Sequence, residues 1–270
     1  MNTELALTDV HKVEIYLIAS GMALSRMIGM VSVMPAFTRI GLTGILRTGV
    51  ALVLSLPMIP LFVDLMLAQN MPFGQVAAIL FKEVMVGILI GIVLGIPIWA
   101  AEAAGEILDL QRGATFAEIV DPLSTTTNNI TGTFFAIVIV AIYFASGGLG
   151  LTLRTVYESY AVWPLLEFMP IFSAQASELL LQLLDQIFGM GLLLVSPMVI
   201  AFLLADISLA LVARAAPQLN IFILSLTVKN LTFVILLVLY GSFLLTYMRN
   251  DLGWIINAGQ RLEQFAPKRD

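Results

Sequence analysis

Five ionisable residues, Arg26, Lys82, Glu83, Asp206 and Lys229, stand within or at the edge of long apolar stretches. A charge at the centre of a bilayer costs at least about 2.5–3.5 kcal/mol on insertion scales, so such groups face protein, water or one another. Asp206 and Arg214 lie about two helical turns apart and share a face. That spacing admits a proton relay; the simpler reading pairs each with another helix. Lys82 and Glu83 are neighbours in sequence, so on a helix they point about 100° apart and are expected to find separate partners. Glu102, Glu106 and Asp109 recur at i, i+4 and i+7 near one face. Paired carboxylates can bind a metal or run acid–base chemistry. No histidine accompanies them in this segment and no nucleophile stands beside them, which favours a solvated helix end or a pore wall. His11, in a leader expected to be exposed, receives no role. There is no cysteine, hence no thiol nucleophile and no thiolate metal site. No G-x-x-x-x-G-K-[ST] stretch encodes nucleotide hydrolysis. The expectation is a protein without catalytic residues, metal or cofactor, and so not an enzyme.

The elements that must position these residues are helices in a membrane. Of 270 residues, 60% are apolar and 11% charged, against roughly 25% charged in an ordinary globular chain. Mean hydropathy is +1.00. So little charge does not coat a soluble globule. The net charge of −5, without a basic block, excludes a nucleic-acid binder. Six apolar segments can be drawn: 15–34, 46–68, 76–104, 130–149, 188–212 and 222–248. Each approaches the roughly 20 residues that cross a hydrocarbon core, and all are too long for barrel strands. The fold class is all-α: about six long helices plus an amphipathic one. Pro57, Pro97 and Pro197 fall inside segments and predict bends or breaks. The first fourteen residues carry three acidic groups and one Lys; a secretory signal opens with a basic region, so the first segment is expected to remain.

Gly87, Gly91 and Gly95 recur every fourth residue and form a close-packing face. Residues 35–47 form a basic, glycine-containing loop. In 173–187, Glu178, Gln182 and Asp185 share one face and Leu180, Leu184 and Ile187 another. Its acidic polar face suits a protein neighbour as well as a membrane surface. Residues 106–122, EILDLQRGATFAEIVDP, begin as helix, are interrupted at Gly113, and end at Asp121–Pro122. They carry Leu108, Leu110, Phe116, Ile119 and Val120, and apolar residues in a loop need something to pack on. A space-filling re-entrant loop and a plug are both open. Basic residues divide almost evenly between the two sides of a six-crossing drawing, as they would if some helices do not cross a bilayer conventionally.

Two segments carry a resemblance: KEVMVGILIGIVLGIPIWAAEAAGEILDLQRGATFAEIVDP (82–122) and SPMVIAFLLADISLALVARAAPQLNIFILSLTVK (196–229). A weaker third, SRMIGMVSVMPAF, starts at Ser25 and is followed by Arg47. Together they resemble the T subunit of the type III secretion export apparatus and its flagellar counterpart, the SctT/FliR family; 150–190 matches least. The resemblance implies a subunit of a helical export gate in the bacterial inner membrane, within the secretion basal body. Its implied partners are the R and S subunits, the U switch subunit, the V subunit and unfolded substrates. It implies one family domain over 1–270: an R-like part to about 187, an S-like hairpin over about 188–250, and a tail at 251–270. Leu110, Gln111, Arg112, Gly113, Phe116, Asp121 and Pro122 correspond to the family's channel plug. Arg214, Pro217, Gln218 and Asn220 correspond to a cytoplasm-facing hairpin tip near the U subunit. Lys82, Glu83 and Asp206 are expected as buried polar groups. The rival reading is a secondary transporter using Asp206 and Arg214; no convincing inverted repeat supports it. Removal of 111–118 is expected to make the assembled channel leak, and Gly91→Leu to block assembly.

Overall fold

The computed structural model describes residues 2–67, 71–114, 129–167 and 175–266, with side chains from residue 12 onward. Every regular element among these residues is helical. In chain order they are α1 (Asn2–Val33), α2 (Pro35–Thr38), α3 (Gly44–Ser55), a 3-10 turn (Leu56–Met58), α4 (Ile59–Leu67), α5 (Phe73–Gln111), α6 (Ile130–Ala145), α7 (Gly148–Val162), α8 (Ala176–Ala215), α9 (Ile221–Asp251), α10 (Gly253–Ile256) and α11 (Ala258–Phe265). Among the described residues, five stretches are long and apolar enough to cross a membrane: Lys12–Val33, Gly44–Leu67, Phe73–Gln111, Ala176–Ala215 and Ile221–Ile256. A sixth is α6 with α7, a pair bent by 76°.

The loop drawn at 35–47 shrinks to 39–43, because Pro35 opens α2 and Gly44 opens α3, and the helices differ from the sequence expectation in three further places. The segment 130–149 is half of that bent pair: Gly147, at φ 78°, interrupts the helix, which resumes as α7. Arg154 and Glu158 hid α7 from a hydropathy reading. Secondly, only Pro57 interrupts its helix. Pro97 and Pro197 lie within continuous helices of 39 and 40 residues, where the flanking turns carry the ladder past the missing donor. Thirdly, the amphipathic stretch is no separate helix. From Ala176 it forms the first turns of α8, because no glycine or proline stops the helical pattern before Gly189. There Leu183 is buried while Leu180 and Leu184 are exposed.

The helices form two compact units interleaved in sequence. The first comprises Met1–Gly95, Gly147–Leu180 and Ile255–Asp270. Its core joins Ile15, Ala19, Met22 and Ala23 of α1 with Phe62, Val63 and Met66 of α4, Val76 and Ile79 of α5, and Leu165. On α1 the buried positions 19, 22, 23, 27, 30 and 31 recur at helical spacing. That period also sweeps Arg26 onto the buried face. Where α1 meets α5 the backbones nearly touch: a Cβ at Gly87 would strike the Arg26 carbonyl, and one at Gly91 would lie 2.8 Å from the Met30 carbonyl. The chain's own α1 therefore covers two of the three spaced glycines. Gly95, the third, is a buried helical residue of α5.

The second unit comprises Ile96–Ser146 and Leu181–Trp254. In it α6 packs on α9 and buries Phe135, Ala136, Ile139, Val140 and Tyr143. The hairpin of α8 and α9 keeps most of its apolar surface uncovered: 28% and 6% of their most apolar windows are buried within the chain.

Candidate functional site

The first unit holds a buried charge cluster. Arg26 donates from Nε to Glu83 Oε2 at 2.6 Å and from Nη2 to Glu83 Oε1 at 3.0 Å, a bidentate pair with neither side chain exposed. Its remaining donors reach Ser159 Oγ at 2.7 Å and the Trp163 carbonyl at 2.9 Å, and its guanidinium lies 3.5 Å from the centroid of Tyr160. Lys82 Nζ donates to the Pro164 carbonyl at 2.7 Å and the Leu165 carbonyl at 3.0 Å. Two buried cations thus take three successive carbonyls just beyond the C-terminus of α7, where a helix favours positive charge. Lys82 and Glu83 correct the sequence expectation: they pair with each other, Nζ to Oε1 at 2.9 Å. Their Cβ atoms diverge, but the long lysine stem curls back once Arg26 and the carbonyls fix where charge must converge.

The second unit holds another cluster, at the end of α5. Asp109 is fully buried. Its Oδ2 accepts the Thr131 N–H at 2.9 Å, so α5 caps the first turn of α6. Arg112 donates to Asp109 Oδ1 from Nε at 3.1 Å and from Nη2 at 2.6 Å, and to Thr131 Oγ1 at 2.8 Å. The Arg112 guanidinium stands 4.3 Å from the centroid of Phe233 on α9. Asn129 Nδ2 donates to Glu106 Oε1 at 3.1 Å. The two chain ends that flank residues 115–128 are therefore stapled together. Lys229 of α9 pairs with Asp206 of α8 at 2.7 Å, and Ser225 donates to Asp206 Oδ1 at 3.1 Å. Asp206, expected to be buried, is engaged with α9 but its side chain is 42% exposed, because it lies on the uncovered hairpin; Arg214 is exposed near the end of α8.

Of the residues matched to the plug, Leu110 to Gly113 are described and Phe116, Asp121 and Pro122 lie outside the described residues. Leu110 and Gln111 are exposed. Gly113 sits at φ 73° and closes α5: Ala114 N–H reaches the Asp109 carbonyl at 2.9 Å and Gly113 N–H the Leu110 carbonyl at 3.2 Å, a Schellman cap. At the hairpin turn Pro217, Gln218 and Asn220 are exposed, and Asn220 Oδ1 caps α9 by accepting the Ile223 N–H at 3.3 Å. Among the described residues no group of three or more His, Cys, Asp or Glu side chains is gathered as metal ligands. Sequence reasoning did not find Ser159, Thr131, Asn230 or Phe233. Each is an ordinary neutral residue whose role comes from the charge brought beside it; only Thr131, opening an apolar run after Asn128 and Asn129, carried a local helix-start signal.

Comparison with known proteins gives the family. Residues 17–253 match the family described as bacterial export proteins, family 1. Yop proteins translocation protein T of Yersinia pestis is 34% identical over 214 residues, covering 77% of this chain and 80% of that protein. Surface presentation of antigens protein SpaR of Shigella flexneri is 32% identical over 172 residues, covering 63% of this chain and 65% of that protein. Flagellar biosynthetic protein FliR of Bacillus subtilis is 26% identical over 183 residues, covering 67% and 71%. With its apolar helices, its internalised charges and a match running through nearly all of them, this multi-pass membrane chain belongs to the bacterial export proteins, family 1.

Proposed function

We propose that the chain is a core subunit of the type III secretion export gate in the bacterial inner membrane. It forms, with R and S subunits, the channel for unfolded protein substrates, meets the U and V subunits, and contributes the plug. Its part is structural and conductive rather than enzymatic. The observation that carries this reading is the family match across residues 17–253. The nearly uncovered α8–α9 hairpin supports it, since so long an apolar surface requires lipid or partner subunits. Identity is higher to the translocation protein, 34%, than to the flagellar one, 26%, which favours the secretion branch over the flagellar branch. We read 110–113 as the root of the plug, Arg214, Pro217, Gln218 and Asn220 as a partner-facing tip, and the hairpin as the S-like part.

Co-expression with R and S subunits, purification in mild detergent and native mass spectrometry test this. A discrete hetero-oligomer containing the chain is the expected result. A stable monomer that ignores those partners would reverse the reading and make transport assays on the isolated chain the next step. The rival transporter reading draws little from Asp206, whose charge is matched within the chain by Lys229.

A further inference from the structure

The last turn of α5 is gripped from α9 in two opposite directions. A helix end cannot satisfy its final carbonyls from within. The Gln111 carbonyl, in that last turn, accepts from Lys229 Nζ at 3.0 Å. The same ammonium meets Asp206 Oδ2 at 2.7 Å, so α8 orients the donor that α9 presents to α5. In the other direction Arg112, the next residue of the chain, lies over Phe233 and reaches Asn230 Oδ1 at 3.5 Å. Lys229, Asn230 and Phe233 stand at i, i+1 and i+4, within one turn of α9. A Cβ on Gly113 would strike Leu226, which fills the same junction.

We propose that Lys229 is a positioning residue: held by Asp206, it caps the Gln111 carbonyl and so couples the α8–α9 hairpin to the point where the chain leaves α5. The ammonium has three protons; Asp206 takes one and Gln111 another, which a simple ion pair would not require. An axial shift of the hairpin must break the Lys229 cap and the Arg112–Phe233 contact together. Force applied at the hairpin turn therefore reaches the α5 end about 14 Å along α9, taking 1.5 Å per residue from Asn220 to Lys229. The inference rests on the channel-subunit reading above, and it concerns only how the end of α5 is held.

The chain has no cysteine, so Ala114→Cys introduces a single thiol beside the junction. In the complex purified with R and S subunits, its labelling by a water-soluble maleimide is compared in four backgrounds: unchanged, Lys229→Met, Lys229→Arg, and the swap Asp206→Lys with Lys229→Asp. Lys229→Met is expected to speed labelling about tenfold, the population change expected from losing one charge-assisted hydrogen bond. Lys229→Arg keeps a donor and should restore slow labelling. The swap restores the ion pair but puts an acceptor against the Gln111 carbonyl, so labelling should stay fast. Unchanged labelling in Lys229→Met, or rescue by the swap, would overturn the proposal. If Lys229→Met is not recovered, Asp206→Asn is read instead: faster labelling supports the coupling and an unaltered rate refutes it. Ion leak in cells separates the two levels. Lys229→Met should leak with the complex mass intact, alongside a deletion of 115–122 that leaves the junction residues in place. A leaking deletion with a tight Lys229→Met refutes the coupling alone. A tight deletion refutes the plug reading alone; the labelling rates then decide the coupling.

Discussion

Arg26 shows what a buried charge demands. The period of α1 places it on the core face, and the structure answers with a bidentate carboxylate, a hydroxyl, a carbonyl and an aromatic ring. Glu83 is the shared counter-charge for Arg26 and Lys82. Glu83→Gln leaves two buried cations with only neutral partners, the three carbonyls, the Ser159 hydroxyl and the Tyr160 ring, and breaking a buried pair this way costs about 3–5 kcal/mol. The chain should be lost from the membrane or melt early in the purified complex, while Arg154→Gln, which breaks a well-exposed pair with Glu158, should leave recovery unchanged. Equal recovery of the two variants would show that the cluster does not hold the fold. Gly113 is a second residue-scale test. Alanine at its positive φ costs about 1–2 kcal/mol, and its Cβ would also strike Leu226. Gly41→Ala carries a similar φ of 78° but meets open space, so it should destabilise less. Adding Leu226→Ala to Gly113→Ala should recover part of the loss, measured by thermal unfolding of the complex; strict additivity would count against the contact.

At the scale of elements, the α1–α5 contact depends on absent side chains. Gly87 and Gly91 allow two backbones to meet, and that closeness lets the Arg26 side chain reach Glu83 on α5. Gly91→Leu must push the helices apart, beyond the roughly 1–3 kcal/mol of ordinary overpacking, because the obstacle is backbone that has no rotamer to give. The expected outcome is loss of the chain before it meets any partner, seen as absence from membranes when expressed alone. Gly49→Leu, at a site with nothing within 4 Å, is the matched control. Comparable membrane levels for both variants would mean that α1 and α5 are not in this contact. The element-scale logic at α6 is different: Asp109 of α5 caps it from outside, since Asn129 makes no side-chain cap of its own.

At the scale of the whole molecule, the hairpin of α8 and α9 is the part the chain does not cover. Val238 is 78% exposed and Leu239 68% exposed on α9. Val238→Lys disturbs little within the chain, yet a lysine facing hydrocarbon or an apolar partner costs at least about 2.5–3.5 kcal/mol. Its expected effect is loss of the hetero-oligomer in native mass spectrometry; an intact complex would show that this face of α9 meets water. The two compact units divide α5 between Gly95 and Ile96, beside Pro97. The two charge clusters therefore belong to different units although one helix contributes to both.

Much of the fold was written in the sequence. Apolar runs of membrane length can only be helices here; five of the six drawn are spans and the other is half of a bent pair, while the family resemblance followed chiefly from residues 82–122 and 196–229. The sequence also required Arg26, Lys82, Glu83, Asp206 and Lys229 to find partners, because charge in an apolar setting is costly. It did not name those partners. Arg26 meets Glu83 57 residues away and the Trp163 carbonyl 137 residues away, and Lys229 meets Gln111 118 residues away. Such pairings have no local pattern. Adjacent Lys82 and Glu83 join only because a third charge fixes where they converge, and Gly113 ends its helix against a leucine from a distant one. Periodicity decides which face is buried. Which carbonyl, ring or hydroxyl meets that face is decided by packing, where helices remote in sequence come within hydrogen-bond reach.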